Sequence, residues 1–174
     1  MPYFDFTKLS VNVDSDNSCP FFCALNKKIY SGGELFPSNI CPYAFQVIYP
    51  YYLTLTNGGW FNWVRPKGGV IVQCPNPRGA LEMKIFQESS LKGVKVEVLQ
   101  AKGECSWGHK KGDTFILNHD TFSFCPKVLD VFIPYFKLVE KGTQMPWLDK
   151  DSNFILKCPN ITCGNAQFII KGNR

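Results

Sequence analysis

The sequence predicts an α+β protein made of two tandem ββαββ units, each a small antiparallel sheet with one Pro-kinked helix, packed as a pseudo-two-fold body. Three observations lead to this fold class: an internal repeat, short segments of alternating apolar residues, and a helical spacing of apolar residues after each of two Cys-Pro pairs. With 45% hydrophobic and 19% charged residues among 174, the chain is too apolar and too weakly charged for a disordered protein. It is therefore expected to form packed cores.

The repeat appears when the chain is shifted against itself by 84 positions. Cys41 and Pro42 then align with Cys125 and Pro126, and residues 74–76 align with the identical residues 158–160. Eleven of the 36 positions from 41 to 76 are identical under this shift, where about two are expected from composition. A polar joint near residues 88–93 separates the copies, which predicts a first repeat unit at 1–90 and a second at 91–174.

Each repeat begins with two predicted strands and ends with two more. Val94, Val96 and Val98 alternate with other residues, as Val11 and Val13 do, which indicates strands with one buried face. The later strands are short apolar runs bounded by Gly, Pro and Asn. The remaining predicted strands are residues 113–117, 154–157 and 167–170 in the second repeat, and 70–73 and 81–86 in the first.

The predicted helix of each repeat follows its Cys-Pro pair. After Cys125, apolar residues recur at helical spacing until Gly142, which predicts a helix of about 15 residues ending at a glycine cap. Pro126 falls in the first turn, where proline is tolerated, whereas Pro134 should kink the helix or divide it. Pro42 and Pro50 take the same places in the first repeat.

Charge and hydropathy restrict the partners and the location. The net charge is +5, with no dense block of Lys and Arg, so no nucleic-acid partner is predicted. The longest apolar runs are far shorter than the ~20 residues that span a bilayer, so no membrane segment is predicted. The first residues lack the pattern of a secretory signal, which favours a cytoplasmic location.

Seven of the eight cysteines and one histidine form two sets of four under the repeat, and Cys163 is left over. Thiolates in a reducing compartment are more often metal ligands or reactive groups than disulfides. Sulfur and imidazole donors in sets of four suit tetrahedral zinc or iron, and an iron–sulfur cluster is a variant of this prediction. The replacement of Cys23 by His109 in the repeat favours a ligand role. The predicted ligands are Cys19, Cys23, Cys41 and Cys74 in the first repeat, and Cys105, His109, Cys125 and Cys158 in the second.

Three other interpretations of these residues remain open at this stage. The cysteines could be small buried hydrophobes in the cores. A thiol enzyme could use Cys125, placed at a helix start that lowers thiol pKa, with His109 as general base and Asp113 as the orienting carboxylate. The chain could also be a small-ligand-binding module without chemistry. Trp107 and Lys110, in the same segment as His109, are the candidate cofactor-binding or ligand-binding residues.

A motif in the second repeat resembles that of a known family. Cys105, Gly108, His109, Gly112 and Asp113 form a Cys-x2-Gly-His-x2-Gly-Asp pattern, and two Cys-Pro pairs follow it at residues 125 and 158. The pattern resembles an uncharacterised family of small Cys-rich proteins of anaerobic bacteria and archaea, here as a tandem duplication. The resemblance implies an architecture and a residue set without a reaction. The first repeat departs from the pattern with Cys23 in place of His and Glu34 in place of Asp.

Overall fold

A computed structural model shows an α+β chain with two helices and eight strands among the residues it describes. The strands form two antiparallel four-stranded sheets. This confirms that the chain is α+β, with antiparallel sheets and two helices, and it confirms the predicted strand and helix segments that fall within the described residues. The described residues are 9–14, 29–31, 35, 40–64, 68–76, 78–88, 93–105, 107–118, 121–122, 125–140, 146–148, 154–159 and 167–172.

The elements follow the order ββαββ and then ββαββ along the chain. Their bounds are β1 Leu9–Asp14, β2 Ile29–Ser31, α1 Pro42–Thr56, β3 Val70–Gln73, β4 Leu81–Glu88, β5 Gly93–Ala101, β6 Thr114–Leu117, α2 Pro126–Glu140, β7 Phe154–Lys157 and β8 Gln167–Gly172. Among the described residues, neither helix is long and apolar enough to cross a membrane.

The chain divides into two compact units that do not follow the predicted repeat boundary. Residues 37–122 form one, here called the central unit, and residues 1–36 and 123–174 form the other, the terminal unit. Each sheet takes two strands from either side of the boundary: β3-β4-β5-β6 in the central unit and β2-β1-β8-β7 in the terminal unit. The segments 1–90 and 91–174 remain a prediction about the sequence repeat, whereas the sheets are built across it.

The pairing of β4 with β5 determines the composition of the central unit. These strands pair antiparallel from Glu88 opposite Gly93 to Leu81 opposite Ala101. Val94, Val96 and Val98 are buried on one face of the sheet, and α1 packs against β3, β4 and β5. Buried Phe45 and Ile48 belong to the helix side of this core. Buried and more exposed residues alternate along β5, as expected for a strand with one covered face.

The helix α1 continues through its internal proline. Pro50 lies within the 15 residues of the helix and is exposed. The proline was predicted to kink the helix or to divide it, and division is wrong because α1 is continuous. The missing N–H would bond the carbonyl of Gln46, which is also an exposed residue, so water can satisfy that oxygen. The helix ends at Thr56 with Asn57 as its C-cap, and Gly58 then adopts a φ of 75°, the left-handed conformation that glycine tolerates best.

The terminal unit has its own core. Its helix α2 is also 15 residues long with Pro134 inside it, and it packs against β8. The rings of Phe132 and Phe168 meet edge to face with centroids 5.3 Å apart, and both side chains are buried. Buried aromatic pairs of this kind contribute both apolar area and a preferred geometry. Helix and sheet are thereby held together within the unit.

Candidate functional site

The loop between β5 and β6 carries the residues of the Cys-x2-Gly-His-x2-Gly-Asp motif. Gly108 and Gly112 have φ values of 82° and 90°, which a residue with a Cβ rarely adopts. The N–H of Gly112 donates to the carbonyl of Val98, and the N–H of Val98 donates to the carbonyl of Asp113, both at 2.9 Å. The two glycines thus allow the loop to turn twice while its end stays bonded to β5.

The imidazole of His109 is buried in the central unit, with 8% of the residue exposed. Its Nε2 accepts a 3.2 Å hydrogen bond from the backbone N–H of Cys41. The ring of Phe115 meets it edge to face, with centroids 4.8 Å apart. Burial lowers the pKa of His109, and the nearby Asp113 opposes this by raising it. The ring is therefore neutral at pH 7, and Nε2 carries a lone pair.

A carboxylate stands on the other side of this ring. Oδ2 of Asp113 lies 4.0 Å from Nδ1 of His109. The same oxygen accepts a 2.9 Å hydrogen bond from the backbone N–H of Lys110. The distance to Nδ1 is too long for a hydrogen bond, and the two groups form an ion pair only when the imidazole is protonated. Asp113 thus faces the ring nitrogen that does not contact Cys41.

Three thiols of the central unit lie close enough to affect one another's ionisation. Burial raises the pKa of Cys41, and the neighbouring Cys105 raises it further. Burial also raises the pKa of Cys74 to about 11, with smaller contributions from Cys41 and Cys105 in the same direction. None of the three forms a disulfide. The central unit therefore holds three neighbouring thiols, two of which burial keeps protonated at pH 7.

Backbone amides accompany two of these thiols. Cys41 is the N-cap residue of α1, and the N–H groups of Tyr43 and Ala44 act against the burial effect by lowering the pKa of its thiol. The N–H of Asn76 does the same for Cys74. The side chain of Cys41 forms no capping hydrogen bond with the helix. Amide dipoles directed at sulfur stabilise its thiolate form, which is the form that ligates metals.

The turn that follows Cys74 packs against Cys105. A Cβ added to Gly79 would stand 3.0 Å from Cα and 3.2 Å from Cβ of Cys105. The carbonyl of Gly79 accepts a 3.2 Å hydrogen bond from the N–H of Lys102. The absence of a side chain at Gly79 therefore lets the segment after β3 approach the start of the His109 loop.

The arrangement brings four predicted ligands into one unit, although not at coordination geometry. Within the described residues, no group of three or more His, Cys, Asp or Glu side chains is arranged to hold a metal ion. Nε2 of His109 is engaged by the N–H of Cys41. An ion would have to take the place of this hydrogen bond and of the thiol protons. The donors are nevertheless three sulfurs and one neutral imidazole, a set that suits zinc or iron.

The other predicted ligands fall elsewhere. Cys125 and Cys158 belong to the terminal unit, where the carbonyl of Cys125 accepts the N–H groups of Val128 and Leu129 at the start of α2. Cys19 and Cys23 lie outside the described residues. The two predicted ligand sets each take their four residues from one sequence repeat. The contacts of the described residues instead link Cys41 and Cys74 of the first repeat with Cys105 and His109 of the second.

Two further predicted residues lie in the His109 loop itself. Trp107 is half-buried between Cys105 and His109, and the side chain of Lys110 is exposed. The backbone of Lys110, by its bond to Asp113, contributes to the loop more directly than its charge does. The sequence did not indicate a role for Gly79, which is needed for the close approach of its turn to Cys105. Its position five residues after Cys74 is a weak sign of a turn beside that cysteine.

Exposed aromatic residues mark a separate surface of the central unit. Trp60 and Trp63 are 51% and 74% exposed. The ring of Phe61 lies 5.2 Å from that of Tyr51 and 5.0 Å from that of Trp63, measured between centroids. Tyr51 lies in α1 and the other three residues lie beyond its end; none of the four is part of the thiol cluster.

The chain matches no protein-family model, no curated protein and no solved structure. The resemblance to a Cys-rich family therefore stays a prediction from the motif. Any function has to be argued from the donor groups of the central unit.

Proposed function

We propose that the protein binds zinc or iron, and that Cys41, Cys74, Cys105 and His109 of the central unit are the ligands of one ion. The observation that carries this proposal is the convergence of three mutually interacting thiols and a buried neutral imidazole from three separate segments. Three sulfurs and one imidazole are donor types that zinc and iron sites use.

The chemistry of the four donors supports a closed, structural site. Cys41 and Cys74 are 3% and 5% exposed, and His109 is 8% exposed. Structural zinc sites have four protein ligands and no open position for substrate, which agrees with this burial. The ion would connect the start of α1, the end of β3 and the His109 loop. A reducing cytoplasmic location, predicted from the sequence, would keep the thiols available.

We also infer that the two sequence repeats exchange their first strand pairs. Both α1 and α2 are 15 residues long, begin at a Cys-Pro pair and contain a proline. Each sheet joins the first strand pair of one repeat to the second strand pair of the other. By this rule Cys125 and Cys158 of the terminal unit would not share an ion with Cys105 and His109.

Metal content of the full chain, purified without oxygen, tests the proposal. Mass spectrometry should find zinc or iron bound, and the absorption spectrum separates colourless zinc from coloured iron or an iron–sulfur cluster. Cobalt(II) added to the metal-free protein should give the thiolate charge-transfer bands of a tetrahedral site. A fully folded chain that binds none of these metals would overturn the proposal.

Paired substitutions distinguish the ligand set of the central unit from the sets drawn from sequence order. If Cys74 and Cys105 share one ion, the double variant Cys74→Ser/Cys105→Ser loses the same single equivalent as Cys74→Ser alone. If the sequence-order sets are correct, the double variant loses two. Cys158→Ser is the matched control, because it occupies the repeat position of Cys74 but lies in the terminal unit. It should leave the central equivalent bound.

A thiol enzyme is the second candidate, and the contact between Cys41 and His109 favours it. Cys41 stands at the start of α1, His109 contacts its backbone, and Asp113 faces the far ring nitrogen. Cys41 would then take the nucleophile role that the sequence assigned to Cys125. Burial raises the pKa of Cys41, whereas a nucleophile requires a lowered one. Selective, rapid alkylation of Cys41 by iodoacetamide in the native metal-free protein would favour the enzyme over the metal site.

A further inference from the structure

The two nitrogens of the His109 ring have different surroundings. Nε2 accepts the N–H of Cys41 at 3.2 Å, and a nitrogen that accepts a hydrogen bond carries no proton. The neutral ring therefore has its proton on Nδ1. This places the lone pair of Nε2 on the side of the thiol-bearing residue Cys41.

Nδ1–H faces a carboxylate that is itself fixed. Oδ2 of Asp113 lies 4.0 Å from Nδ1 and is held by the N–H of Lys110 at 2.9 Å. The carbonyl of Asp113 is bonded to the N–H of Val98 in β5. The sheet thus sets the position of the carboxylate relative to the ring, while Phe115 packs edge to face against that ring.

We propose that Asp113 is the positioning residue of His109, holding the ring proton on Nδ1 so that Nε2 presents its lone pair toward Cys41 and the thiol cluster. Carboxylates that face the second nitrogen of a ligand histidine fix its tautomer and strengthen its donor nitrogen. The part of this inference that concerns metal affinity rests on the proposed function. The part that concerns the ring's protonation does not.

The first repeat offers a sequence contrast. Glu34 stands there in place of Asp113, and Cys23 in place of His109. A cysteine has one donor atom and no second nitrogen to orient. The short, fixed carboxylate is therefore expected only in the repeat that has the histidine.

A purely local role for Asp113 would be to cap the loop by accepting the N–H of Lys110. Asp113→Asn keeps a carbonyl oxygen for that N–H and removes the negative charge facing Nδ1. Gly112→Ala is the matched control. The space around its added Cβ is open, but its φ of 90° makes the substitution strain the same loop. Asp113→Glu tests whether a carboxylate on a longer stem restores the function.

The first measurement is the long-range proton–nitrogen NMR spectrum of the full-length, metal-free protein with labelled histidine. The wild type should show His109 as the Nδ1–H tautomer with a slowly exchanging ring proton. In Asp113→Asn this proton should exchange with water faster or the tautomer should become mixed, whereas Gly112→Ala should leave it unchanged. Identical ring signals in the wild type and Asp113→Asn would overturn the inference.

The second measurement is the affinity for Zn²⁺ alone, in competition with a chromophoric chelator. Asp113→Asn should bind about 10–100-fold more weakly than the wild type, the range typical of such carboxylates. Asp113→Glu should recover part of this loss, and Gly112→Ala should stay within about threefold, since it removes no partner of the ring. Affinity unchanged in Asp113→Asn would contradict the positioning role. A wild type that binds no Zn²⁺ would instead overturn the proposed function, while the NMR spectrum would still decide the role of Asp113.

Discussion

The backbone N–H of Cys41 donates a 3.2 Å hydrogen bond to Nε2 of His109, 68 positions further along the chain. The bond joins the residue that begins α1 to the loop between β5 and β6. Amide groups at a helix start have no partner within the helix, so a buried acceptor there contributes to stability. This relationship allows a structural role of His109 to be separated from a metal-binding one.

His109→Ala should lower the free energy of unfolding of the metal-free protein by about 1–3 kcal/mol, because the N–H of Cys41 loses its acceptor while buried. His109→Gln offers a side-chain carbonyl to the same N–H and should recover part of this loss. Neither variant should bind Zn²⁺ as the wild type does, because a carboxamide is a poor ligand for zinc. Urea unfolding with a chelator present measures the first effect. Equal destabilisation by both substitutions would show that the hydrogen bond contributes little.

Gly79→Ala should weaken the central unit by steric contact. Its Cβ would stand 3.0 Å from Cα of Cys105, and an overpacked site of this kind costs about 1–3 kcal/mol. The displacement of Cys105 should also lower Zn²⁺ affinity. Gly58→Ala is the control: its Cβ meets nothing within 4 Å, but its φ of 75° carries backbone strain. It should lower the free energy of unfolding and leave Zn²⁺ affinity unchanged; if it weakens binding as much as Gly79→Ala does, general destabilisation is the cause.

The secondary structure was largely predictable because its signals are local. Alternating valines predict β5, and the apolar spacing after each Cys-Pro pair predicts α1 and α2. Of the two expected effects of Pro50 and Pro134, a kink or a division of the helix, division was wrong because both helices are continuous. A helical proline leaves one carbonyl without its N–H donor, and water can bond that carbonyl only where the proline lies on an exposed face of the helix. Which face is exposed depends on packing, and a single sequence does not show it.

The residue types of the candidate site were also predictable, but their grouping was not. Cysteine and histidine can be recognised as possible metal ligands from residue type alone. Which ones meet depends on strand pairing, and β4 pairs with β5 across the repeat boundary. The four residues 89–92 that separate these strands suit a hairpin. This was the signal that β4 and β5 pair, which brings the segments of Cys74 and Cys105 into one unit.

Asp130 in α2 supplies a test outside the candidate site. Burial raises the pKa of its carboxyl group, so the folded state binds its proton more tightly than the unfolded state does. Ionised Asp130 therefore destabilises the folded state. This destabilisation is absent below the ordinary pKa of 3.8 and complete above the raised pKa, so the free energy of unfolding falls as pH rises between these two values. Asp130→Asn should therefore stabilise the protein at neutral pH by less than about 1 kcal/mol, given the partial exposure of the group. Urea unfolding at neutral and strongly acidic pH checks this, since a gain of equal size at both would have another origin.

Cys74 gives the metal-free protein a pH dependence at alkaline pH. Burial raises the pKa of its thiol from 9.0 to about 11. The folded state therefore keeps a proton that the unfolded state releases. The stability linked to it is fully present below pH 9.0 and is lost as pH rises toward about 11. The loss across this window is on the order of 2 kcal/mol.

Cys74→Ala removes this thiol and should flatten the fall in stability between pH 9.0 and about 11, measured by urea unfolding with chelator and reductant present. Gly79→Ala is the matched control, because it disturbs the same turn and keeps the thiol, so most of the wild-type slope should remain. Bound Zn²⁺ should abolish the slope as well, since the metal replaces the proton on sulfur in the folded state. A slope that survives in Cys74→Ala would mean that the alkaline loss arises from other groups.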